Sequence, residues 1–158
     1  WRDSRSKGIK LKYKDTNIIL QGGVDDIWFN TLTEEIIIAD YKSQHKNKEV
    51  NQSNYFSDPY KGGYKMQLDF YAYLFKGNGF KVSSDSYLYI CNALEIDDGF
   101  HGKMNFDEIL IHHSINTDYL EENIESMISC MNSENVPDSQ PSCENCAYAR
   151  QRSVYDNI

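Results

Sequence analysis

The hydrophobic and polar positions in the first 42 residues follow the two-residue period of β-strands. Residues 9–14 read IKLKYK, in which apolar and basic positions alternate as in a half-exposed strand. Three further apolar runs follow at residues 17–20, 24–30 and 35–42. The last two runs are separated by the short, mostly polar stretch 31–34, which suits a hairpin connection. The pattern therefore predicts an antiparallel meander of three or four strands.

A long polar segment and a helix follow the meander. Residues 43–60 show no hydrophobic period, so we expect a long loop that overhangs the end of the preceding strand. Residues 62–76 predict a helix, which Gly77-Asn78-Gly79 would end. Its expected apolar face comprises Met66, Phe70, Tyr73 and Leu74.

The second half of the chain predicts two more strands and another helix. The strands fall at residues 82–93 and 103–115, and the helix at about 119–131. A linker and a short tail containing Cys-x-x-Cys come after it. We therefore expect one domain over residues 1–131, with the linker and tail over 132–158.

Composition restricts the class of protein. The chain has 158 residues with 40% hydrophobic and 25% charged residues, which suits one globular domain with a sizeable core. No apolar run approaches the ~20 residues that a membrane span needs, and no signal peptide is recognisable, so we expect a cytoplasmic protein. Because the sequence starts at Trp1 rather than Met, we also expect it to be a fragment.

Charge is distributed unevenly along the chain. The net charge is −8, yet residues 1–65 hold 11 Lys and Arg against 9 Asp and Glu, whereas residues 66–158 hold 5 against 15. The acidic second half is a candidate surface for a protein partner. A phosphate-facing surface is expected in the first part, unless its lysines form an ordinary solvated face. These lysines are Lys7, Lys10, Lys12, Lys14, Lys46, Lys48, Lys61 and Lys65.

Carboxylates interrupt two of the apolar strands. Residues i and i+2 of a strand share a face, so Asp40 and Lys42 point the same way and Tyr41 points the other way. In the predicted hairpin, the start of the first strand lies beside the end of the second. Asp25 or Asp26 is therefore expected next to Asp40, and face alone does not decide between them. Such a cluster is costly at the end of an apolar sheet unless it binds something.

The cluster has the groups that metal-dependent phosphodiester hydrolysis requires. Hard oxygen ligands such as Asp25 and Asp40 suit Mg²⁺ or Mn²⁺, and the Tyr41 carbonyl is a possible further ligand. Lys42 would stabilise charge that develops on the phosphate. On the predicted helix, Gln67 and Tyr71 share a face at a spacing of four residues.

These motifs together resemble the PD-(D/E)XK nuclease superfamily, in particular its RecB-like exonuclease branch. The branch has Gly-x-x-Asp on one strand, Asp-Tyr-Lys-Ser/Thr on the next and Gln-x-x-x-Tyr on the following helix. Here these are Gly22 to Asp25, Asp40 to Ser43, and Gln67 to Tyr71. The resemblance covers about residues 17–93. It implies an α+β (α/β) restriction-endonuclease-like core, in which a mixed central sheet containing the meander is flanked by helices.

The resemblance also implies a function. The chain would be a Mg²⁺- or Mn²⁺-dependent deoxyribonuclease acting in DNA repair or recombination, with DNA as its partner. Asp25, Asp40 and Lys42 would be the catalytic set, because the family spacing favours Asp25 over Asp26. Gln67 and Tyr71 would support the site or contact DNA.

Two features depart from the family pattern. The branch usually has a helix before the first strand that carries a metal ligand. We expect it upstream of residue 1, so the fragment alone would bind metal weakly or be inactive. The branch also often holds an iron–sulfur cluster in a terminal cysteine cluster. Cys143 and Cys146 have its first spacing, with Cys130 as a possible third ligand to a cluster or Zn²⁺.

Each motif also has a simpler interpretation. Asp40 and Lys42 alone would suit a surface ion pair, and Gln67 and Tyr71 the polar edge of an amphipathic helix. The cysteines would suit unligated reduced thiols. The alternative function is a catalytically inactive nuclease-fold module that binds DNA or a protein partner. A third alternative is an accessory domain stabilised by a cluster or by zinc.

Overall fold

The computed structural model describes residues 8–95, 99 and 101–156, so Lys7 lies outside the described residues. The chain divides into two compact units, Trp1–Tyr119 and Leu120–Ile158. The first unit contains six strands and one long helix among its described residues. They are β1 (Ile9–Lys12), β2 (Ile19–Gly22), β3 (Asp26–Asn30), β4 (Glu35–His45), α1 (Gly62–Gly77), β5 (Val82–Ala93) and β6 (Phe106–Ser114).

The strands form two separate sheets. Strands β1 and β2 pair antiparallel as a two-stranded sheet, and the other four form a sheet in the order β3-β4-β5-β6. Within that sheet β4 and β5 are parallel, whereas β3–β4 and β5–β6 are antiparallel. The α+β class and the mixed central sheet are therefore confirmed. The two early hairpins lie in different sheets, however, so the expected meander is not continuous.

Strand β4 is longer than its sequence indicates. A loop was expected from Ser43, but β4 continues to His45 because β5 is long enough to pair with it. Gln44 lies opposite Asn92, and His45 opposite Ala93. The partner strand thus overrides the low strand propensity of these polar residues.

The segment after β4 is packed onto the first unit. It contains two short 3₁₀ turns, Tyr55–Ser57 and Pro59–Lys61, and it buries Val50 and Tyr55 in the core. The side chain of Gln52 both donates a hydrogen bond to the backbone of β6 and accepts one from it. Its Nε2 donates to the carbonyl of His112 at 2.9 Å, and its Oε1 accepts from the amide of His112 at 2.7 Å. The segment is therefore tied to the sheet.

Helix α1 covers one face of the four-stranded sheet and closes the core. The buried positions Leu68, Tyr71, Ala72 and Phe75 follow the spacing i, i+3, i+4 and i+7 of one helical stripe. The predicted apolar face was partly wrong, because Met66 is 50% exposed. The small and aromatic residues of the true stripe carry a weaker hydropathy signal. From the sheet, the core receives Ile38, Leu88, Ile90 and Ile111.

A buried carboxylate on α1 holds the chain that leaves β6. Asp69 is 3% exposed and accepts hydrogen bonds from the Asn116 amide and the Tyr119 hydroxyl, both at 2.9 Å. His113 Nε2 lies 2.8 Å from the same carboxylate. The charge is thus compensated by three partners, as burial requires. This network fixes α1 against the end of β6.

The second unit contains two helices among its described residues, α2 (Leu120–Met131) and α3 (Glu144–Asp156). Helix α2 lies close to its predicted range. Helix α3 was not predicted, because residues 143–158 were expected only as a tail. In the described part of the chain, no helix has the length and apolar character that crossing a membrane requires.

Candidate active site

The β3–β4 hairpin brings two acidic side chains together. Its register pairs Asp26 with Ala39, so the preceding residue, Asp25, lies beside Asp40 at the edge where β3 begins. The Tyr41 amide donates a hydrogen bond of 3.1 Å to Asp25 Oδ2. This bond fixes the Asp25 carboxylate beside the point where the pairing of the two strands ends.

The same hydrogen bond determines where the Tyr41 carbonyl points. The amide and the carbonyl of one strand residue face the same neighbouring strand. Because the Tyr41 amide faces Asp25, its carbonyl faces the same edge of the sheet. This backbone oxygen therefore lies on the side where the carboxylates converge.

Asp40 is a buried carboxylate with mixed surroundings. It is 1% exposed, and this burial raises the pKa of its carboxyl above 3.8. The Lys42 ammonium group opposes that rise, whereas the nearby Asp25 carboxylate adds to it. Oδ2 of Asp40 forms an ion pair with Lys42 Nζ. Two carboxylates, Asp25 and Asp40, thus face one ammonium group, an imbalance that a bound cation would compensate.

Lys42 stands at the centre of the cluster. Beyond its ion pair with Asp40, its ammonium group donates to Gln67 Oε1 at 3.1 Å. It also lies 4.8 Å from the centre of the Tyr64 ring, within the range of a cation–π interaction. These contacts hold the ammonium group on the same face of β4 as Asp40.

Gln67 connects the strand residues to α1. Its Nε2 lies 3.2 Å from Asp40 Oδ1 and 2.7 Å from the Tyr71 hydroxyl. The orientation of the amide is determined by chemistry, because a lysine can only donate and must meet the amide oxygen. Burial raises the pKa of Tyr71, which keeps its hydroxyl neutral. Helix α1 therefore positions the charged groups of Asp40 and Lys42 through the side chain of Gln67.

A family model of the PD-(D/E)XK nuclease superfamily matches residues 2–151. The chain belongs to the PD-(D/E)XK nuclease superfamily. Neither the curated proteins nor the solved structures gave a match. Membership supports a nuclease-like function, and the match extends well beyond the three short motifs.

In this PD-(D/E)XK protein, the two candidate aspartates of β3 have different surroundings. Asp26 points to the opposite face of the sheet, where its Oδ2 accepts from the Tyr41 hydroxyl at 2.6 Å and the Trp28 indole at 3.2 Å. Asp25 instead converges with Asp40. Of these two aspartates, the structure therefore brings Asp25, and not Asp26, to the carboxylate of Asp40.

The donor set of this nuclease-superfamily site suits a hard divalent cation. Mg²⁺ characteristically binds through one or two carboxylates and keeps several waters. Asp25 and Asp40 provide two carboxylates, and the Tyr41 carbonyl faces the same edge. No group of three or more His, Cys, Asp or Glu side chains suited to a metal occurs among the described residues. Any ion bound by these two carboxylates would therefore take most of its ligands from water or from other groups.

The cysteines of the second unit are only partly brought together. The Cys146 amide donates to Cys143 Sγ at 3.4 Å, and Cys146 lowers the pKa of the Cys143 thiol through hydrogen bonds from its thiol and its backbone. Cys130 lies near the end of α2 and is exposed. The described residues do not group it with the other two into a three-ligand site.

Sequence reasoning missed two residues around the PD-(D/E)XK motifs, Tyr64 and Gln44, and it missed the contact that Lys61, a lysine expected on a phosphate-facing surface, makes with Gln44. Tyr64 precedes Gln67 by three positions on α1, and this helical spacing was a usable signal. Gln44 extends the face of Asp40 and Lys42 along β4, but the strand was expected to end earlier. Lys61 donates to Gln44 Oε1 at 2.6 Å, a contact across 17 residues that no local pattern indicates.

Proposed function

We propose that the chain is a metal-dependent nuclease that hydrolyses the phosphodiester bonds of DNA. The observation that carries this proposal is the convergence of Asp25 and Asp40 beside Lys42. Gln67 forms hydrogen bonds with both Asp40 and Lys42. The motifs of the RecB-like branch lie at these same positions. We therefore place the chain in that branch, and a role in DNA repair or recombination accords with it.

Asp25, Asp40 and the Tyr41 carbonyl would hold Mg²⁺ or Mn²⁺. Bound there, the ion would polarise the phosphate and lower the pKa of water at the site. The hydrogen bond from the Tyr41 amide keeps the Asp25 carboxylate at this edge. Burial of Asp40 strengthens its interaction with any cation, since screening by water is weak there.

Lys42 would act on the reacting phosphate. Water attacks phosphorus, the bond to the leaving ester oxygen breaks, and negative charge grows on the phosphate oxygens. The Lys42 ammonium group, placed by Gln67 and by the Tyr64 ring, would stabilise that charge. Tyr71 would act as a positioning residue through Gln67.

Mutation of the strand residues tests this function. Asp40→Ala and Lys42→Ala should each abolish Mg²⁺-dependent cleavage of DNA. Lys81→Ala is a matched control, because Lys81 is largely exposed and lies near Glu35 at the other end of β4. Circular dichroism should show that all variants keep their fold. Unchanged cleavage by both site variants would refute the proposal.

One observation favours a second candidate function, a non-catalytic module that binds DNA or a protein. A protein partner would bind through the acidic second half of the chain. Only two carboxylates converge at the site, and no His, Cys or third acidic side chain joins them among the described residues. Calorimetric titration with Mn²⁺ distinguishes the two. Heat release that is lost in Asp25→Asn supports the enzyme, whereas absence of heat release in the unmodified protein supports the module.

The cysteines have a separate proposed role. Cys143 and Cys146 would be two ligands of a structural Zn²⁺ or an iron–sulfur cluster in a tail that follows a nuclease domain ending at residue 131. Cys130 would be a third ligand only after a rearrangement. Metal analysis and the visible absorbance of freshly purified protein test this role, and metal-free, colourless protein would argue against it.

A further inference from the structure

Strand β4 carries the candidate catalytic face beyond Lys42. Alternate residues share a face, so Gln44 follows Asp40 and Lys42 on the side that α1 covers. Two residues of a strand advance by about 6.6 Å. This step is similar to the spacing of successive phosphates along an extended nucleic-acid strand. The extra length of β4 therefore places a polar group one phosphate step from the site.

A second lysine meets β4 at that step. Lys61 donates to Gln44 Oε1 at 2.6 Å, and its ammonium group lies 4.2 Å from the centre of the Tyr55 ring. It also lies 5.5 Å from the Tyr64 ring, the same ring that Lys42 approaches at 4.8 Å. Two ammonium groups are thus arranged around one aromatic side chain.

Lys46 adds a third positive charge nearby. It forms an ion pair of 3.4 Å with Asp58, and the same carboxylate also interacts with Lys61. Burial lowers the pKa of Lys61, and the charge of Lys46 lowers it further. Asp58 is therefore the shared counter-charge of Lys46 and Lys61, which repel each other. An additional anion would reduce that repulsion.

A polar cavity opens beside Lys46 and beside Gln44, the residue to which Lys61 donates. It has a volume of about 190 Å³ and is lined by Gln44, Lys46, Lys48 and Tyr55, with Glu49 among the remaining residues. Tyr55 is 3% exposed, and its hydroxyl oxygen has no hydrogen-bond partner within the described part of the chain. A buried hydroxyl without a partner is unfavourable. The buried hydroxyl is not open to the cavity that Tyr55 lines, so a phosphate oxygen would accept its hydrogen bond only after a small movement of the ring.

The lysines are held in place before any ligand arrives. Asn92 of β5 binds the backbone of Lys46 twice, accepting from its amide at 2.9 Å and donating to its carbonyl at 3.1 Å. Lys61 is fixed by Gln44 and the two tyrosine rings. The backbone at Lys46 and the side chain of Lys61 are therefore ordered in the free protein, which favours binding.

We propose that Lys61, Lys46 and the cavity beside Tyr55 form a subsite for a backbone phosphate of DNA, adjacent to the phosphate that Lys42 contacts. This inference rests on the proposed function, because it extends the path of the same DNA strand. The subsite positions the strand and takes no part in bond breaking. It assigns a binding role to the segment that follows β4.

Binding of a short, fluorescein-labelled, single-stranded oligodeoxynucleotide tests the subsite. Fluorescence anisotropy in EDTA prevents cleavage and gives the affinity as a function of salt concentration. Removing one lysine–phosphate interaction with a single strand should reduce the slope of log K against log salt by about 0.7. Lys61→Gln and Lys46→Gln should therefore weaken binding and flatten the slope, whereas Lys81→Gln should change neither. Tyr55→Phe should weaken binding without changing the slope.

The outcomes separate the subsite from the nuclease. Thermal melting should show that the Lys61→Gln and Lys46→Gln variants are folded. If both bind the oligonucleotide with the affinity and the salt dependence of the unmodified chain, the subsite is refuted. Absence of oligonucleotide binding by the unmodified chain refutes it as well. If inorganic phosphate shifts the NMR signals of Lys61 and DNA does not, the cavity binds free anions and is not a DNA subsite. Failure of the nuclease proposal is observed in a separate measurement, as unchanged DNA cleavage by the Asp40→Ala variant.

Discussion

Gly22 lies directly against the ring of Tyr71. A Cβ atom added to Gly22 would be 2.7 Å from Tyr71 Cε1 and 2.9 Å from Cδ1, distances that real Cβ atoms essentially never show. The glycine thus allows the end of β2 to approach α1 where Tyr71 meets Gln67. The glycine of the Gly-x-x-Asp motif therefore has a steric purpose, since it makes room for the tyrosine of the helix motif.

Gly22→Ala should consequently disturb the site from a distance. The new methyl group must displace the Tyr71 ring and with it the hydrogen bond to Gln67, at a cost of about 1–3 kcal/mol in the free energy of unfolding. DNA cleavage should fall as well, because Gln67 positions Asp40 and Lys42. Urea unfolding and initial cleavage rates measure the two effects.

A matched glycine on α1 serves as the control. A Cβ added at Gly63 meets nothing within 4 Å, so Gly63→Ala should be neutral or slightly stabilising, as expected for alanine in a helix. If Gly22→Ala matched Gly63→Ala in both stability and cleavage, the steric role of Gly22 would be wrong.

The two neighbouring aspartates of β3 should respond differently to the same substitution. Asp25→Asn should weaken Mn²⁺ binding and cleavage strongly, since it removes one of two converging carboxylates. Asp26→Asn should instead lower stability by about 1–3 kcal/mol, because Asp26 accepts from the Tyr41 hydroxyl and the Trp28 indole on the other face. Calorimetry with Mn²⁺ and thermal unfolding measure both quantities. The reverse assignment of effects would exchange the roles of the two residues.

Gln67 and Tyr71 should behave as a coupled pair. Gln67→Leu removes the amide that meets Asp40 and Lys42, so cleavage should fall by about tenfold or more, which corresponds to ~1.4 kcal/mol. Tyr71→Phe removes only the hydroxyl and should have a smaller effect. Because the hydroxyl acts through Gln67, the double variant should cleave no more slowly than Gln67→Leu alone. Additive losses in a double-mutant cycle would show that Tyr71 acts independently of Gln67.

Local periodicity was sufficient to predict part of the site. The two-residue period of strands placed Asp40 and Lys42 on one face, and the helical period placed Gln67 and Tyr71 together. It was insufficient for Asp25, because Ile27, two residues after Asp25, and Trp28, two residues after Asp26, are both apolar and give no preferred face. The hydrogen bonds of Asp26 to Tyr41 and Trp28 resolve that choice, and they depend on the paired strands.

Contacts between distant segments explain the rest of what the sequence did not reveal. Strand β4 reaches His45 only because β5 is there to pair with it. Lys61 approaches Gln44 only because the following segment is anchored to β5 and β6. The core stripe of α1 includes Ala72 and Tyr71, whose moderate hydropathy hides it. In each case the deciding partner is distant in sequence, where periodicity carries no information.

The buried carboxylate of Asp40 should make stability depend on pH. Burial raises its pKa in the folded chain, Lys42 lowers it, and Asp25 raises it further. A carboxyl with a raised pKa binds its proton more tightly when folded. Its stabilising contribution is therefore complete at pH values below the ordinary pKa of 3.8, and it is lost as pH rises through the folded-state pKa.

This contribution can be isolated in metal-free protein by comparison with Asp40→Asn, which cannot ionise. The free energy of unfolding of the unmodified chain, relative to that of Asp40→Asn, should decrease as pH rises above 3.8. Asp25→Asn should move this decrease to lower pH, because it removes a neighbouring negative charge. Lys42→Met should move it to higher pH, because it removes the compensating positive charge. Urea unfolding in EDTA at a series of pH values measures these shifts, and a pH-independent difference would show that the surroundings of Asp40 do not perturb its ionisation.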